Sequence, residues 1–278
     1  SNGELVIAGS GSLSLSSSIG PAVNMNNSSL SLSESVDFSA EQTSTNPIPA
    51  ITNGSVETEE GYSGNITISS TASSALFETL VNLQTSGDIS ISGGGFVSVI
   101  ATSGTVTLEG ESVSVSSRTN NGMLVDAVSN PENTDETAIS ITATKSDLSL
   151  TGASDTPLLA AHNITLSANG NIQVENTGNV TNSSAIYGNL TVTKAQDVTV
   201  SSSKAQAITG TANITATGDV AISSATSFAV NNLTVSGAND VTVIANESPA
   251  PAIGGDVAIN ASGDINIQNT GNGMAISA

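Results

Sequence analysis

Apolar and polar residues alternate in short runs along the chain, and the same runs return at a regular interval. In the C-terminal half a first run reads Asn163-Ile164-Thr165-Leu166. Its equivalents begin at Asn189, Asn213, Asn232 and Asp256. A second run follows each of them and begins at Asn171, Asp197, Asp219, Asp240 and Asp264. Alternation with a period of two predicts strands that bury one face.

A third, shorter run completes the repeat. It reads Ala185-Ile186 and returns at Ala207, Ala229, Ala252 and Ala275, after 22, 22, 23 and 23 positions. Pro21-Ala22-Val23 and Pro49-Ala50-Ile51 in the N-terminal half match it. Counting such triplets along the chain predicts about eleven coils of about 25 residues, each with three strands.

A fixed order of three strands, joined by turns too short for helices, predicts an all-β solenoid. Stacked coils hydrogen-bond strand to equivalent strand and bury one continuous column of Ile, Val and Leu. The variable coil length and the general preference for right-handed parallel crossovers favour a right-handed parallel β-helix over a left-handed one. We predict a single domain over 1–278, with the coil register clearest in 163–278. An array of β-sandwiches is the structural alternative.

Two stretches carry a resemblance to known proteins, GDVAISSATSFAVNNLTVSGANDVTV and APAIGGDVAINASGDINIQNTGNGMAIS. They resemble the β-helices of filamentous-haemagglutinin and autotransporter-like adhesins. They are similar also to the Ala-Ile-Gly-Gly and Gly-Asp-Ile-x-Ile repeats of β-helical surface proteins from Gram-positive gut bacteria. The resemblance implies right-handed helices, display at the cell surface, and adhesion or glycan binding. It carries no catalytic residue to a position of this chain.

The amino-acid composition excludes several classes of binding partner. Four basic residues stand against 24 acidic ones, for a net charge of −20, so no basic patch for nucleic acid or for an anionic membrane surface can form. The chain has no cysteine, which excludes disulfides and thiolate metal sites. It shows no signal peptide or membrane-spanning run. We therefore expect a fragment of a longer extracellular surface protein whose export signal and anchor lie elsewhere.

The acidic residues at the start of the second run form the most regular chemical pattern. Asp197, Asp219, Asp240 and Asp264 occupy one position in successive coils, and Asp88 and Asp147 extend the series. A column of carboxylate oxygens could bind Ca²⁺, a hard cation that prefers oxygen ligands. The competing interpretation is that each Asp satisfies a turn at a solvated corner. No calcium-binding nonapeptide or EF-hand loop occurs in the sequence.

Two longer interruptions of the repeat are candidates for recognition, because loops that project from a rigid scaffold commonly carry binding residues. Their acidic residues are Glu57, Glu59 and Glu60 in the first, and Asp126, Glu132, Asp135 and Glu136 in the second. A solvated acidic turn explains each loop equally well.

An enzyme is not expected. The only histidine, His162, needs a partner to act as a base, and Asp155 is the nearest acidic residue in sequence. Outward threonines of the first run form a second ladder, Thr165/Ser167, Thr191/Thr193, Thr215/Thr217 and Thr234/Ser236. Such a ladder could order water and bind ice.

The sequence thus favours a non-enzymatic bacterial surface or secreted β-helix that serves as an adhesin segment or as a spacer displaying one. The first alternative is a carbohydrate-binding module that uses Ca²⁺. A polysaccharide lyase and an ice-binding protein are lesser alternatives. The expected partner is a glycan or another surface receptor.

Overall fold

The computed structural model describes residues 3–95, 97–117, 123–128 and 134–277. Within them the chain forms 25 strands, numbered β1 to β25 in chain order, and one short 3₁₀ helix at Thr134–Glu136. All strand pairs in the described ranges are parallel and join equivalent segments of successive coils. The predicted parallel β-solenoid is confirmed. Its handedness stays a prediction.

The second run of each coil builds an eleven-stranded sheet, here called sheet B, whose strands lie side by side in the order of the coils. Its members are β2 Ser10–Ser17, β4 Ser35–Gln42, β6 Ile66–Ser70, β9 Ile89–Gly93, β12 Val113–Ser117, β15 Leu148–Gly152, β17 Ile172–Asn176, β19 Val198–Ser202, β21 Val220–Ser224, β23 Val241–Ala245 and β25 Ile265–Asn269. Eleven successive strands correspond to about ten turns, so the axis is about 48 Å long at ~4.8 Å per strand.

The third run and the first run of the following coil lie together in a fourteen-stranded sheet, here called sheet A. Its strands are β1 Glu4–Ile7, β3 Val23–Leu32, β5 Ile51–Thr58, β7 Leu76–Glu78, β8 Leu80–Gln84, β10 Val97–Ala101, β11 Thr105–Gly110, β13 Met123–Asp126, β14 Ala138–Ala143, β16 Leu159–Ala168, β18 Ile186–Lys194, β20 Ile208–Thr215, β22 Val230–Ala238 and β24 Val257–Ala261. The three predicted strands of a coil therefore form two sheets.

A corner inside the long strands of sheet A marks where the third run ends and the first run begins. In the pairing of β16 with β18 the register shifts between Ala160 and Asn163. Gly188 lies at this corner with φ 132°, and a Cβ on it would stand 1.7 Å from the Ala161 carbonyl oxygen. Only glycine accepts both the backbone conformation and the close approach. The extended backbone thus passes from one run into the next without leaving the sheet.

The inward residues of both sheets form one continuous apolar core. In sheet B the inward column runs through Ile172, Val198, Val220 and Val241, and the predicted third-run column runs through Ile186, Ile208, Val230, Ile253 and Ile276. Most members are almost fully buried. The predicted match of Val23 with Ile51 is confirmed as well.

Polar side chains close the buried turn between sheet B and the third run. The hydroxyls of Ser70, Ser202 and Ser224 donate to the carbonyl oxygens of Ile48, Ser183 and Ala205 at 3.0, 2.7 and 2.6 Å. The Asn176 amide donates to Thr156 and Ser184 carbonyls from the same position of its coil. Buried carbonyls of the turn are thereby satisfied without water.

One predicted register is wrong. Leu190 pairs with Ala212, and Ala212 pairs with Leu233, so the first run of this coil begins two residues before Asn213-Ile214-Thr215-Ala216. A slip of two residues keeps every side chain on its own face, so alternation alone cannot detect it. The outward partner of Thr191 and Thr234 is consequently Asn213, and the predicted threonine ladder is interrupted there.

Candidate functional site

The acidic column at the entrance to sheet B is a ladder of side-chain to backbone hydrogen bonds. In each step the Oδ1 atom of one coil accepts the N–H of the equivalent residue in the next coil. Asp197 accepts from Asp219 at 2.8 Å, Asp219 from Asp240 at 3.1 Å, and Asp240 from Asp264 at 2.7 Å. Upstream steps join Asp37 to Asn65, Asn65 to Asp88, Asp88 to Ser112, Asp147 to Asn171 and Asn171 to Asp197. The predicted extension to Asp88 and Asp147 is confirmed.

Glycine makes room for this ladder. In three steps a glycine directly precedes the residue that donates its N–H, and a Cβ on Gly170, Gly218 or Gly263 would stand 2.0 to 2.1 Å from the Oδ1 atom of Asp147, Asp197 or Asp240. The recurrent Gly-Asp dipeptide therefore combines a donor N–H with the space for the acceptor above it. The turn interpretation of the acidic residues has a direct geometric basis.

A double-mutant cycle tests the ladder. Gly218→Ala should displace the Asp197 carboxylate and cost about 1 kcal/mol of unfolding free energy, the usual worth of one such hydrogen bond. Asp197→Ala should cost a similar amount. Because both changes remove the same bond, adding Gly218→Ala to Asp197→Ala should cost nothing more, measured by urea denaturation. Strictly additive costs would contradict the ladder.

The described residues hold no group of three or more His, Cys, Asp or Glu side chains arranged to bind a metal ion. Asp197, Asp219 and Asp240 each commit their Oδ1 atom to a backbone N–H. Calcium binding by Asp197, Asp219, Asp240 and Asp264 stays a prediction.

The first predicted acidic loop borders two separate grooves. Glu59 and Glu60 are exposed and share a groove of about 510 Å³ with Gln84 and Glu109 of neighbouring coils. Glu57 is half-buried at the end of β5 and lines a second groove of about 540 Å³ with Glu4. The solenoid thus adds Glu109, which lies far away in sequence, to the predicted pair Glu59 and Glu60.

The second predicted loop divides between buried and exposed residues. Asp126 is only 4% exposed at the end of β13, and its Oδ1 accepts the Val128 N–H at 2.8 Å. Asp135 and Glu136 are exposed on the 3₁₀ helix. Glu132 lies outside the described residues.

The acidic residue beside His162 in the folded chain is Asp135. Asp155 is the nearest acidic residue only along the sequence. The His162 Nδ1 and Asp135 Oδ1 atoms are 3.7 Å apart, and both side chains are substantially exposed. The His162 backbone N–H also donates to Thr137 Oγ1 at 2.6 Å. The histidine is therefore held at the surface beside the second acidic loop.

The sequence reasoning missed an aromatic surface on sheet A. Phe77 and Tyr187, 38% and 53% exposed, are outward residues of the third run. Their column, here called the aromatic flank, consists of Phe77, Ile100, Asp126, Ala160 and Tyr187, which pair in that order. Four steps of ~4.8 Å put the two rings about 19 Å apart along the axis. The sequence does indicate that both rings are exposed. In Ala75-Leu76-Phe77 and Ala185-Ile186-Tyr187 the residue that follows the inward one must point outward.

Grooves lie beside both exposed rings. Phe77 borders an apolar groove of about 520 Å³ with Pro47, Val97 and Ile100. Tyr187 borders two grooves of about 690 and 610 Å³. The remaining aromatic side chains are more hidden: Phe38 and Tyr62 are buried and Phe228 is half-buried, while Phe96 is outside the described residues. The flank therefore gathers the most exposed rings of the described part of the chain.

Burial of the Tyr62 ring raises its pKa to about 12, with a smaller contribution from Asp37. Its hydroxyl donates to the Val36 carbonyl oxygen at 2.6 Å. Tyr62 is thus a core residue, and Tyr187 is the tyrosine that faces solvent.

No protein-family model, no curated protein and no solved structure matches this chain. Among the residues that the structure describes, no helix has the length and apolar character to span a membrane.

Proposed function

We propose that this chain is a segment of a bacterial surface or secreted solenoid that binds its target through the aromatic flank, an adhesin-type function without catalysis. The observation that carries the proposal is the placement of Phe77 and Tyr187. A chain with 2% aromatic residues has two of them exposed in one column, each beside a groove. Exposed aromatic residues beside concave surfaces are typical of binding sites.

The rigidity of the scaffold supports this function. In the described part of the chain, the acidic ladder, the buried serines and the continuous core hold neighbouring coils in fixed relative positions. Outward side chains of one column are thereby held at regular intervals before any partner arrives, which lowers the entropic cost of binding. The strongly negative chain favours solubility outside the cell and selects against polyanionic partners.

A pure spacer is the competing function, and the two differ in one measurement. The purified chain is applied to arrays of glycans and of extracellular-matrix proteins. An adhesin segment should show saturable binding to a subset, and a double variant Phe77→Ser, Tyr187→Ser should lose at least 90% of the signal. Thr199→Ala with Thr242→Ala, two outward residues of sheet B, is the matched control that should bind like the parent.

Binding to nothing on either array would support the spacer and contradict the proposal. Equal binding by the parent and the flank variant would contradict the assignment of the surface. Circular dichroism and melting temperature, unchanged in both variants, establish that neither effect arises from unfolding.

A further inference from the structure

Tyr187 stands where the two grooves beside it meet. Both grooves are lined by Val128, Tyr187 and Thr209, so they form one trough with the ring between its two arms. The ring is outward on β18, and its partner in the preceding coil is Ala160, whose side chain is small. The tyrosine is 53% exposed, so part of its ring is open to the trough.

The trough follows the solenoid axis. One arm takes residues from four successive segments of the chain, around Thr156, Asn182, Gln206 and Ser227. Three steps between four coils cover about 14 Å at ~4.8 Å each. A ligand that fills this arm is consequently an extended chain rather than a compact molecule.

The lining combines neutral hydrogen-bonding groups with apolar patches. Thr156, Thr181, Asn182, Gln206, Thr209 and Ser227 offer hydroxyl and amide groups, each able to donate and accept. Pro157 and Ala205 provide apolar surface between them. A sugar ring matches this pattern, because its C–H bonds pack on an aromatic face while its hydroxyls bond to neighbouring donors and acceptors.

The charge of the site selects among sugars. Among the described residues no Lys or Arg lines either arm, and Asp135 and the half-exposed His162 stand in the second arm. The chain as a whole carries −20. An anionic glycan would therefore meet the negative charge of the chain with no Lys or Arg among the described lining residues to offset it.

From these observations we infer that the Tyr187 trough binds an uncharged oligosaccharide that lies along the solenoid axis with one sugar ring on the tyrosine. This inference rests on the proposed binding role of the aromatic flank and names its ligand class. The Phe77 groove, which is apolar, is not part of the sugar site.

The intrinsic tyrosine fluorescence of the chain can be used to measure this binding. It has no Trp and two Tyr residues, of which Tyr62 is buried and Tyr187 exposed, so a ligand-induced change in tyrosine emission identifies Tyr187. Probes are the hexamers of cellulose, xylan, β-mannan and chitin as the neutral set, and hexagalacturonate as the acidic one. We expect a saturable change with at least one neutral hexamer, at least tenfold weaker binding of its dimer, and none with hexagalacturonate.

Calorimetry with the bound hexamer and three variants completes the test. Tyr187→Ala should weaken binding at least tenfold, whereas Tyr187→Phe, which keeps the ring, should stay within about threefold of the parent. Thr199→Ala, on the outward face of sheet B, should leave the sugar affinity unchanged.

The failures are distinguishable. If the chain binds nothing on either array, the proposed function itself is contradicted. Array binding that is confined to proteins or to acidic glycans, or neutral-sugar binding that survives Tyr187→Ala, leaves the adhesin role standing and overturns the trough assignment.

Discussion

Raising the pH from about 4.5 to about 7 is expected to lower the unfolding free energy through a single residue, Glu78. This side chain is 1% exposed at the end of β7; its Oε2 accepts the Gly54 N–H at 2.7 Å, and its Oε1 has no hydrogen-bond partner. Burial raises its pKa from 4.5 to about 7, and the Gly54 hydrogen bond opposes that shift.

The sign follows from proton binding. Between pH 4.5 and 7 the folded state retains the Glu78 proton that the unfolded chain releases, so the contribution of Glu78 to stability is greatest below pH 4.5 and falls until pH 7. At 1.36 kcal/mol per unit of pKa the loss is on the order of 3 kcal/mol. Above pH 7 this residue adds no further change.

Glu78→Gln isolates the effect from the other carboxylates. Urea denaturation of the parent and the variant from pH 4 to pH 8 should show a difference in unfolding free energy that grows with pH in favour of the variant. Glu60→Gln, at an exposed position, should give a difference that stays nearly constant. A pH-independent difference for Glu78→Gln would contradict the buried acid.

Ile222→Ala is expected to cost 2–5 kcal/mol, the usual range for truncating a buried aliphatic side chain. Ile222 is fully buried in β21 between Val200 and Val243 of the adjacent coils, so the cavity cannot be filled by solvent. Ser223→Ala, the neighbouring outward position, should change stability by less than about 0.5 kcal/mol. Chemical denaturation measures both, and equal costs would contradict the inward and outward assignment of this strand.

The sequence alone predicts the architecture because each coil repeats the same pattern of residue types. Inward Ile, Val and Leu, Gly-Asp turns and the Ala-Ile run return in the same order, and parallel stacking is the arrangement that buries all three columns together. The error at Asn213 shows the limit of this reasoning. Ala212 and Ala216 flank Ile214 on the same face, and both occupy inward positions in the folded chain. Only the strand pairing shows that Ala212, and not Ile214, is the equivalent of Leu190 and Leu233.

The surface sites were harder to predict, because they combine residues from different coils. Glu109 joins Glu59 and Glu60, and Asp135 meets His162, only after the coils are stacked. Glu78 was missed although its position after Phe77 marks it as inward, because an acidic residue was not expected in the core. The acidic column, by contrast, was recognised from its spacing, and its hydrogen bonds supply the structural reason.

The assignment of the aromatic flank depends on the parallel stack, and distances along sheet B test that stack most directly. Ser14, Thr67, Ser114 and Asn266 are exposed members of one outward column at strands one, three, five and eleven of the sheet. The chain has no cysteine, so pairs of introduced cysteines accept spin labels at these positions alone.

Pulsed electron paramagnetic resonance then measures the distance from residue 266 to each of the others. At ~4.8 Å per strand we expect about 29 Å to residue 114, about 38 Å to residue 67 and about 48 Å to residue 14. A distance that rises in proportion to the number of coils confirms the solenoid. Distances that do not increase in this order, as in an array of β-sandwiches, would contradict it.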